Sequence, residues 1–102
     1  MAEQKSLFFD EPGDDQLLGS LQLERPLIIF DLETTGTNIG QDRIVQFAFL
    51  RIHPNRETDE WSSLVNPGMP IPPGATAVHH ITDDMVKDQP AFADLAPMIL
   101  EF

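Results

Sequence analysis

The stretch that most constrains the fold of this 102-residue chain is Leu27-Ile28-Ile29-Phe30-Asp31-Leu32-Glu33-Thr34-Thr35-Gly36. Four apolar residues in an unbroken run suit a strand buried on both faces. Asp31 and Glu33 follow at i and i+2, so in a strand they point to one side, about 6.5–7 Å apart along the chain. Leu32, between them, is expected to point the other way, into the core. Thr34-Thr35-Gly36 then breaks the strand. Carboxylates also follow buried strands simply because the chain is leaving the core. Here the abrupt change from apolar run to paired acids, followed at once by Thr-Thr-Gly, favours a negative pocket at the rim of a sheet. Hard divalent cations such as Mg²⁺ or Mn²⁺ take oxygen ligands of this kind.

Charge narrows the function classes. The formal net charge is -11 at pH 7. Such a chain has no overall attraction for nucleic acid or an anionic membrane, which argues against a simple DNA-binding module. A metal-dependent nuclease remains open, because its acids collect cations before they meet phosphate. The absence of cysteine excludes disulfides and thiolate zinc sites. No apolar run reaches transmembrane length, and the acidic N-terminus does not read as a secretory signal. These features predict a soluble, cytoplasmic protein with no membrane association. At 41% hydrophobic, the chain can build the core of one small domain.

Residues 1–24 read as an acidic flexible tail, with Glu11-Pro12-Gly13-Asp14-Asp15 as turn or linker chemistry. Within it, Leu7, Phe8 and Phe9 are apolar anchors in polar surroundings, suited to a partner's pocket or to packing back on the domain. Arg25-Pro26 opens the domain, and Leu27–Leu32 is the first strand. Residues 43–53 form a second strand, apolar on both faces and therefore central. Pro54-Asn55-Arg56 is turn chemistry. A third, more polar strand runs over residues 58–65 and includes Trp61. Three strands joined by short links make an antiparallel meander. The prolines at 70, 72 and 73 predict an extended loop over residues 69–74, with one helical turn at 75–80. Thr82 is the expected N-cap of a helix with Asp83 and Asp84 in its first turn. Phe92, Leu95, Ala96, Ile99 and Phe102 recur at helical spacing, with Pro97 inside the pattern. Phe102 falls in mid-pattern, without a cap or polar finish, so the sequence predicts continuation into a longer domain.

Phe30-Asp31-Leu32-Glu33-Thr34-Thr35-Gly36 resembles the first motif of the DEDD superfamily of 3′–5′ exonucleases. That group includes the proofreading epsilon subunit of bacterial DNA polymerase III. The similarity continues through Asp42-Arg43-Ile44-Val45-Gln46, Leu64-Val65-Asn66-Pro67-Gly68, Pro70-Ile71-Pro72-Pro73, Ala75-Thr76-Ala77-Val78-His79-His80-Ile81-Thr82 and Pro90-Ala91-Phe92. It thus covers residues 25–102 with the motifs in family order.

The resemblance implies an α/β, ribonuclease-H-like fold, truncated here to a three-stranded antiparallel meander followed by helices. It implies hydrolysis of the terminal phosphodiester at a nucleic acid 3′ end, single-stranded DNA foremost, in replication or repair. Two Mg²⁺ or Mn²⁺ ions would lie about 3.5–4 Å apart in a complete domain. Asp31 would bridge both and Glu33 would hold one. Thr34, Thr35 and Gly36 would line the pocket for the terminal nucleotide, with Val78 and His79 near its base or sugar. Gln4-Lys5-Ser6-Leu7-Phe8 resembles the short peptide by which bacterial replication proteins grip the sliding clamp. Leu7 and Phe8 would fill an apolar pocket and Gln4 would bond at its edge; a clamp or polymerase is the implied partner.

The chain departs from the family pattern at His80, where glycine is usual, and at Gln46, where glutamate is common. The family's remaining acids and its general-base histidine come from segments that would follow Phe102. Glu57, Asp59, Glu60 and Asp88 do not occupy those motif contexts. The chain therefore reads as the N-terminal half of an exonuclease domain, inactive alone, with an open sheet edge and an uncovered apolar face on its last helix. Zinc binding by His79 and His80 is disfavoured, because adjacent side chains converge poorly and no other soft ligand is near. Two rival readings are a haloacid-dehalogenase-like phosphatase, whose motif wants aspartate where Glu33 stands, and a non-catalytic interaction or remnant module built on the Gln4–Phe9 peptide.

Overall fold

A computed structural model describes residues 22–102; Gln4, Leu7 and Phe8 of the expected partner peptide lie outside the described residues. Three strands, β1 (Leu27–Thr34), β2 (Ile44–Ile52) and β3 (Thr58–Leu64), precede three helices, α1 (Pro73–His79), α2 (Asp83–Val86) and α3 (Phe92–Glu101). The strands form one antiparallel sheet in the order β1-β2-β3. This is the meander expected from the turn chemistry, with β2 central. Along β2 the buried side chains are Val45 and Phe47, then Ala48, Leu50 and Ile52. The buried face changes between Phe47 and Ala48, which explains why this strand is apolar on both faces. No helix among the described residues is long and apolar enough to cross a membrane.

β1 differs from its expected role. Leu27, Ile28, Ile29, Phe30 and Leu32 are 37% to 63% exposed, so the apolar run is neither buried on both faces nor, at Leu32, directed into a core. An apolar run states what a strand can bury; its neighbours decide what is buried. Among the described residues β1 has one neighbour and is an edge. Its pairing also extends through Thr34, two residues beyond the expected limit.

The described residues divide into two compact units: residues 22–30 with Ala48–Trp61, and Asp31–Phe47 with Ser62–Phe102. In the first, each strand contributes one ring to an aromatic row. Phe30 and Phe49 meet edge to face with centroids 6.3 Å apart, and Phe49 and Trp61 lie 6.1 Å apart. At the β2–β3 turn, Arg56 takes a left-handed conformation (φ 74°), its N–H donating to the His53 carbonyl at 2.8 Å. A single oxygen of Asp59 accepts from Arg51 Nε (3.1 Å) and Nη2 (2.9 Å) and lies 2.7 Å from His53 Nε2.

The second unit is built on Val45, Ile71, Ile81 and Val86, with Leu64 and Ala75 packed against them. Full burial of such a side chain contributes about 1.5–3 kcal/mol. α1 begins at Pro73, so the expected loop is shorter and the expected single turn is longer. Proline at the first helical position loses no bond there. Thr82 occupies the N-cap of α2, but its side chain makes no capping bond. Asp83 is engaged elsewhere, accepting the Ile71 N–H at 2.8 Å and fastening the proline-rich loop to α2. The α3 pattern holds as a helix, with Pro97 inside it and past the first turn. Of the apolar face expected to lie bare on α3, Leu95 is buried, Ile99 and Phe102 are half-buried and Phe92 is 42% exposed; Leu100 is 88% exposed. Asn66 forms a parallel bridge with Ala91, which fixes the entry to α3.

Candidate active site

Asp31 and Glu33 stand at i and i+2 near the end of β1, so strand alternation sends both carboxylates to one side. Asp31 is exposed and Glu33 half-buried. Asp31 Oδ1 accepts the N–H of Leu32 at 3.0 Å. Among the described residues neither acid forms an ion pair with a base. Two like charges side by side without a cation repel each other, and a divalent ion relieves that repulsion. The donor set fits a hard cation in part. It supplies two oxygen-bearing side chains, and no group of three or more potential ligands occurs among the described residues.

The turn after the pair is held from inside. Thr35 is the buried polar residue of the described chain, 2% exposed. Its N–H donates to the Arg43 carbonyl at 2.9 Å. Its hydroxyl donates to Asp42 Oδ1 at 2.8 Å and accepts the Arg43 N–H at 3.0 Å. The other oxygen of Asp42 accepts the Asn38 N–H at 2.8 Å. The N–H groups of Gln41 and Asp42 close the loop onto the Asn38 carbonyl. One carboxylate thus ties both ends of the 36–42 loop. The Asp42 side chain also fills the space beside Gly36, where an added Cβ would lie 2.6 Å from Oδ2. A side chain here would have to displace the Asp42 carboxylate from its hydrogen bonds.

The structure brings Thr34, Thr35, Gly36 and His79 together and leaves Val78 77% exposed on α1. Thr34 Oγ1 donates to the Gly36 carbonyl at 2.7 Å. The Thr35 hydroxyl is spent on the loop, so its part in any pocket is to shape the wall. His79 Nε2 lies 3.0 Å from the Thr34 carbonyl, and His79 Nδ1 lies 3.1 Å from the Ile81 N–H. His80 is exposed, with φ 62° and ψ 15°. This is the left-handed cap conformation for which glycine is preferred, and it accounts for glycine being usual at that position. Sequence reasoning missed Asp42 as the organiser of the turn. The available signal was an aspartate closing a short polar loop that holds two glycines. A hollow of about 480 Å³ adjoins Asp42 and Arg43, floored by residues 65–68 and 91–93.

The sequence model of the RNase T exonuclease family matches residues 28–102. A DNA polymerase III subunit epsilon-like protein of Rhodobacter capsulatus is 40% identical over 94 residues, covering 88% of this chain and 13% of that protein. A DNA polymerase III of PolC type from Caldanaerobacter subterraneus is 35% identical over 80 residues, covering 78% of this chain and 6% of that protein. Among solved structures, exonuclease X in complex with 5′ overhanging duplex DNA aligns with a TM-score of 0.63 at 38% identity, covering 71% of this chain and 42% of that one. Exonuclease I aligns with a TM-score of 0.65 at 25% identity, over 74% of this chain and 18% of that one. The chain therefore spans a minor part of each of these relatives.

Proposed function

The chain belongs to the RNase T exonuclease family, and on that premise we propose that it carries the carboxylate-bearing part of a 3′–5′ exonuclease acting on DNA in replication or repair. The observation that carries this reading is the same-side pair Asp31 and Glu33, without a basic partner among the described residues, ahead of a turn tied by Asp42. Asp31 and Glu33 would hold Mg²⁺ or Mn²⁺. When bound, such ions activate water and stabilise the leaving oxygen in phosphodiester hydrolysis. The chain's own residues shape the place where the 3′ end would sit: Asp42 holds the wall of Thr34, Thr35 and Gly36 against collapse, and α1 offers the exposed Val78 to a base or sugar. We read residues 25–102 as the catalytic-domain part and residues 1–24 as an acidic tail, in a cytoplasmic protein.

This set of groups does not complete a catalytic site. A hard cation takes about six oxygen ligands, and two carboxylates supply only part of that shell. Nor does a histidine stand ready as general base. His53 engages Asp59, both ring nitrogens of His79 are engaged, and His80 is an exposed cap. We therefore read the 102-residue chain alone as unable to turn over. A phosphatase of doubly wound fold is disfavoured, because β2 pairs with β1 antiparallel after a short loop, whereas parallel strands need a crossover. The tail peptide Gln4, Leu7 and Phe8 supports a sliding clamp as partner. Loss of clamp binding in Leu7→Ala/Phe8→Ala is the expected result, and no binding by the unaltered chain would end that assignment.

The test of function is a chimera. Residues 25–102 replace the matching segment of the Rhodobacter capsulatus relative, and release of mononucleotides from a 3′-labelled single strand is measured. We expect hydrolysis in the chimera and its loss on Asp31→Ala. A folded chimera that cleaves nothing, or one indifferent to Asp31→Ala, would reject the reading.

A further inference from the structure

We propose that His79 is a positioning residue whose imidazole, held as the neutral Nε2–H tautomer, fixes the Thr34 carbonyl and through it the carboxylate of Glu33. The inference rests on the reading of Asp31 and Glu33 as cation ligands. The polarity of the two partners decides the tautomer. The Ile81 N–H can only donate, so Nδ1, 3.1 Å away, accepts and carries no proton. The Thr34 carbonyl can only accept, so Nε2, 3.0 Å away, donates. A ring with the opposite tautomer would place a proton against the Ile81 N–H and a lone pair against a carbonyl oxygen.

Local backbone geometry makes this possible. The left-handed turn at His80 reverses the chain, so that the Ile81 N–H returns to the ring two residues earlier. With Nδ1 seated there, the ring is oriented and Nε2 points at the end of β1. The peptide unit between Thr34 and Thr35 is then gripped on both sides, its carbonyl by His79 and its N–H by the Arg43 carbonyl at 2.9 Å. Thr34 directly follows Glu33 in β1, so anchoring this peptide plane limits the freedom of the strand end that carries Glu33. Among the described residues β1 pairs on one side only, with β2.

The test uses two substitutions that divide the imidazole between them. His79→Asn keeps an acceptor near the Nδ1 position for Ile81 but does not reach Thr34. His79→Gln places a donor near the Nε2 position. Long-range ¹H–¹⁵N correlation of the 102-residue chain should show His79 with Nδ1 bare and Nε2 protonated. Mn²⁺ titration, followed by broadening of the amides of residues 31–36, should show affinity lowered roughly tenfold in His79→Asn, as for loss of an outer-shell contact, and mostly restored in His79→Gln. A proton on Nδ1, or equal Mn²⁺ affinity in His79→Asn and the unaltered chain, would overturn the proposal. Should the unaltered chain show no Mn²⁺ effect at these residues, the cation reading fails separately. Exchange of the Thr35 amide then decides the positioning claim: faster exchange in His79→Asn supports it, and unchanged exchange rejects it.

Discussion

The Asp42 carboxylate occupies the space that a side chain on Gly36 would need, with Oδ2 2.6 Å from the ideal Cβ position. The same carboxylate takes one hydrogen bond from the Thr35 hydroxyl and one from the Asn38 N–H. Gly36→Ala should therefore destabilise the chain by about 1–3 kcal/mol through overpacking. Asp42→Ala should cost about 1–3 kcal/mol by leaving the buried Thr35 hydroxyl only the weakly accepting Met69 sulfur. The double variant should cost less than the sum, because removing the carboxylate removes the clash. Urea unfolding of the three variants measures this, and strict additivity would contradict the geometry.

His80→Gly should stabilise the chain. Holding a non-glycine residue in the left-handed region costs roughly 1–2 kcal/mol, against about 0.5–1 kcal/mol for the extra freedom of glycine when unfolded. The expected net gain is about 0.5–1 kcal/mol. A loss of stability in thermal or urea unfolding would show that the His80 side chain makes a contribution its exposure does not suggest.

The Asp59 carboxyl titrates below its ordinary value of 3.8, chiefly through its hydrogen bond with His53 and then through Arg51. A depressed carboxylate stabilises the folded chain above the unfolded value and loses that contribution as pH falls through the folded one. The effect is therefore confined to pH below about 4. Carbon-detected titration should place the Asp59 midpoint below 3.8, and His53→Ala should raise it. A midpoint unmoved by His53→Ala would contradict the assignment of cause.

Sequence carried the meander because its turns are local: Pro54-Asn55-Arg56 joins β2 to β3, and β2 shows itself central by carrying apolar residues on both faces. The carboxylate pair was legible for the same reason, since strand alternation alone puts Asp31 and Glu33 on one side. The exposure of β1 was not, because burial depends on neighbours that a run of Leu27 to Phe30 does not specify. Asp42 and His79 were missed as supports because each acts on a residue distant along the chain, Thr35 and Thr34 respectively. Asp83 read as a helix-dipole residue, yet its carboxylate was taken by Ile71 across the fold.

The 102-residue chain should show no appreciable release of mononucleotides from a 3′-labelled single strand with Mn²⁺. The reaction needs ions and phosphate fixed in line, which two carboxylates cannot achieve. Metal-dependent release abolished by Asp31→Ala would mean that the chain completes its own site.

The central claim is that Asp31 and Glu33 form one cation site, and Mn²⁺ titration followed by paramagnetic broadening of backbone amides tests it most directly. Broadening should begin at residues 30–36, at weak affinity, and disappear in Asp31→Ala/Glu33→Ala. Broadening that persists unchanged in that double variant, or that begins elsewhere in the chain, would contradict the account.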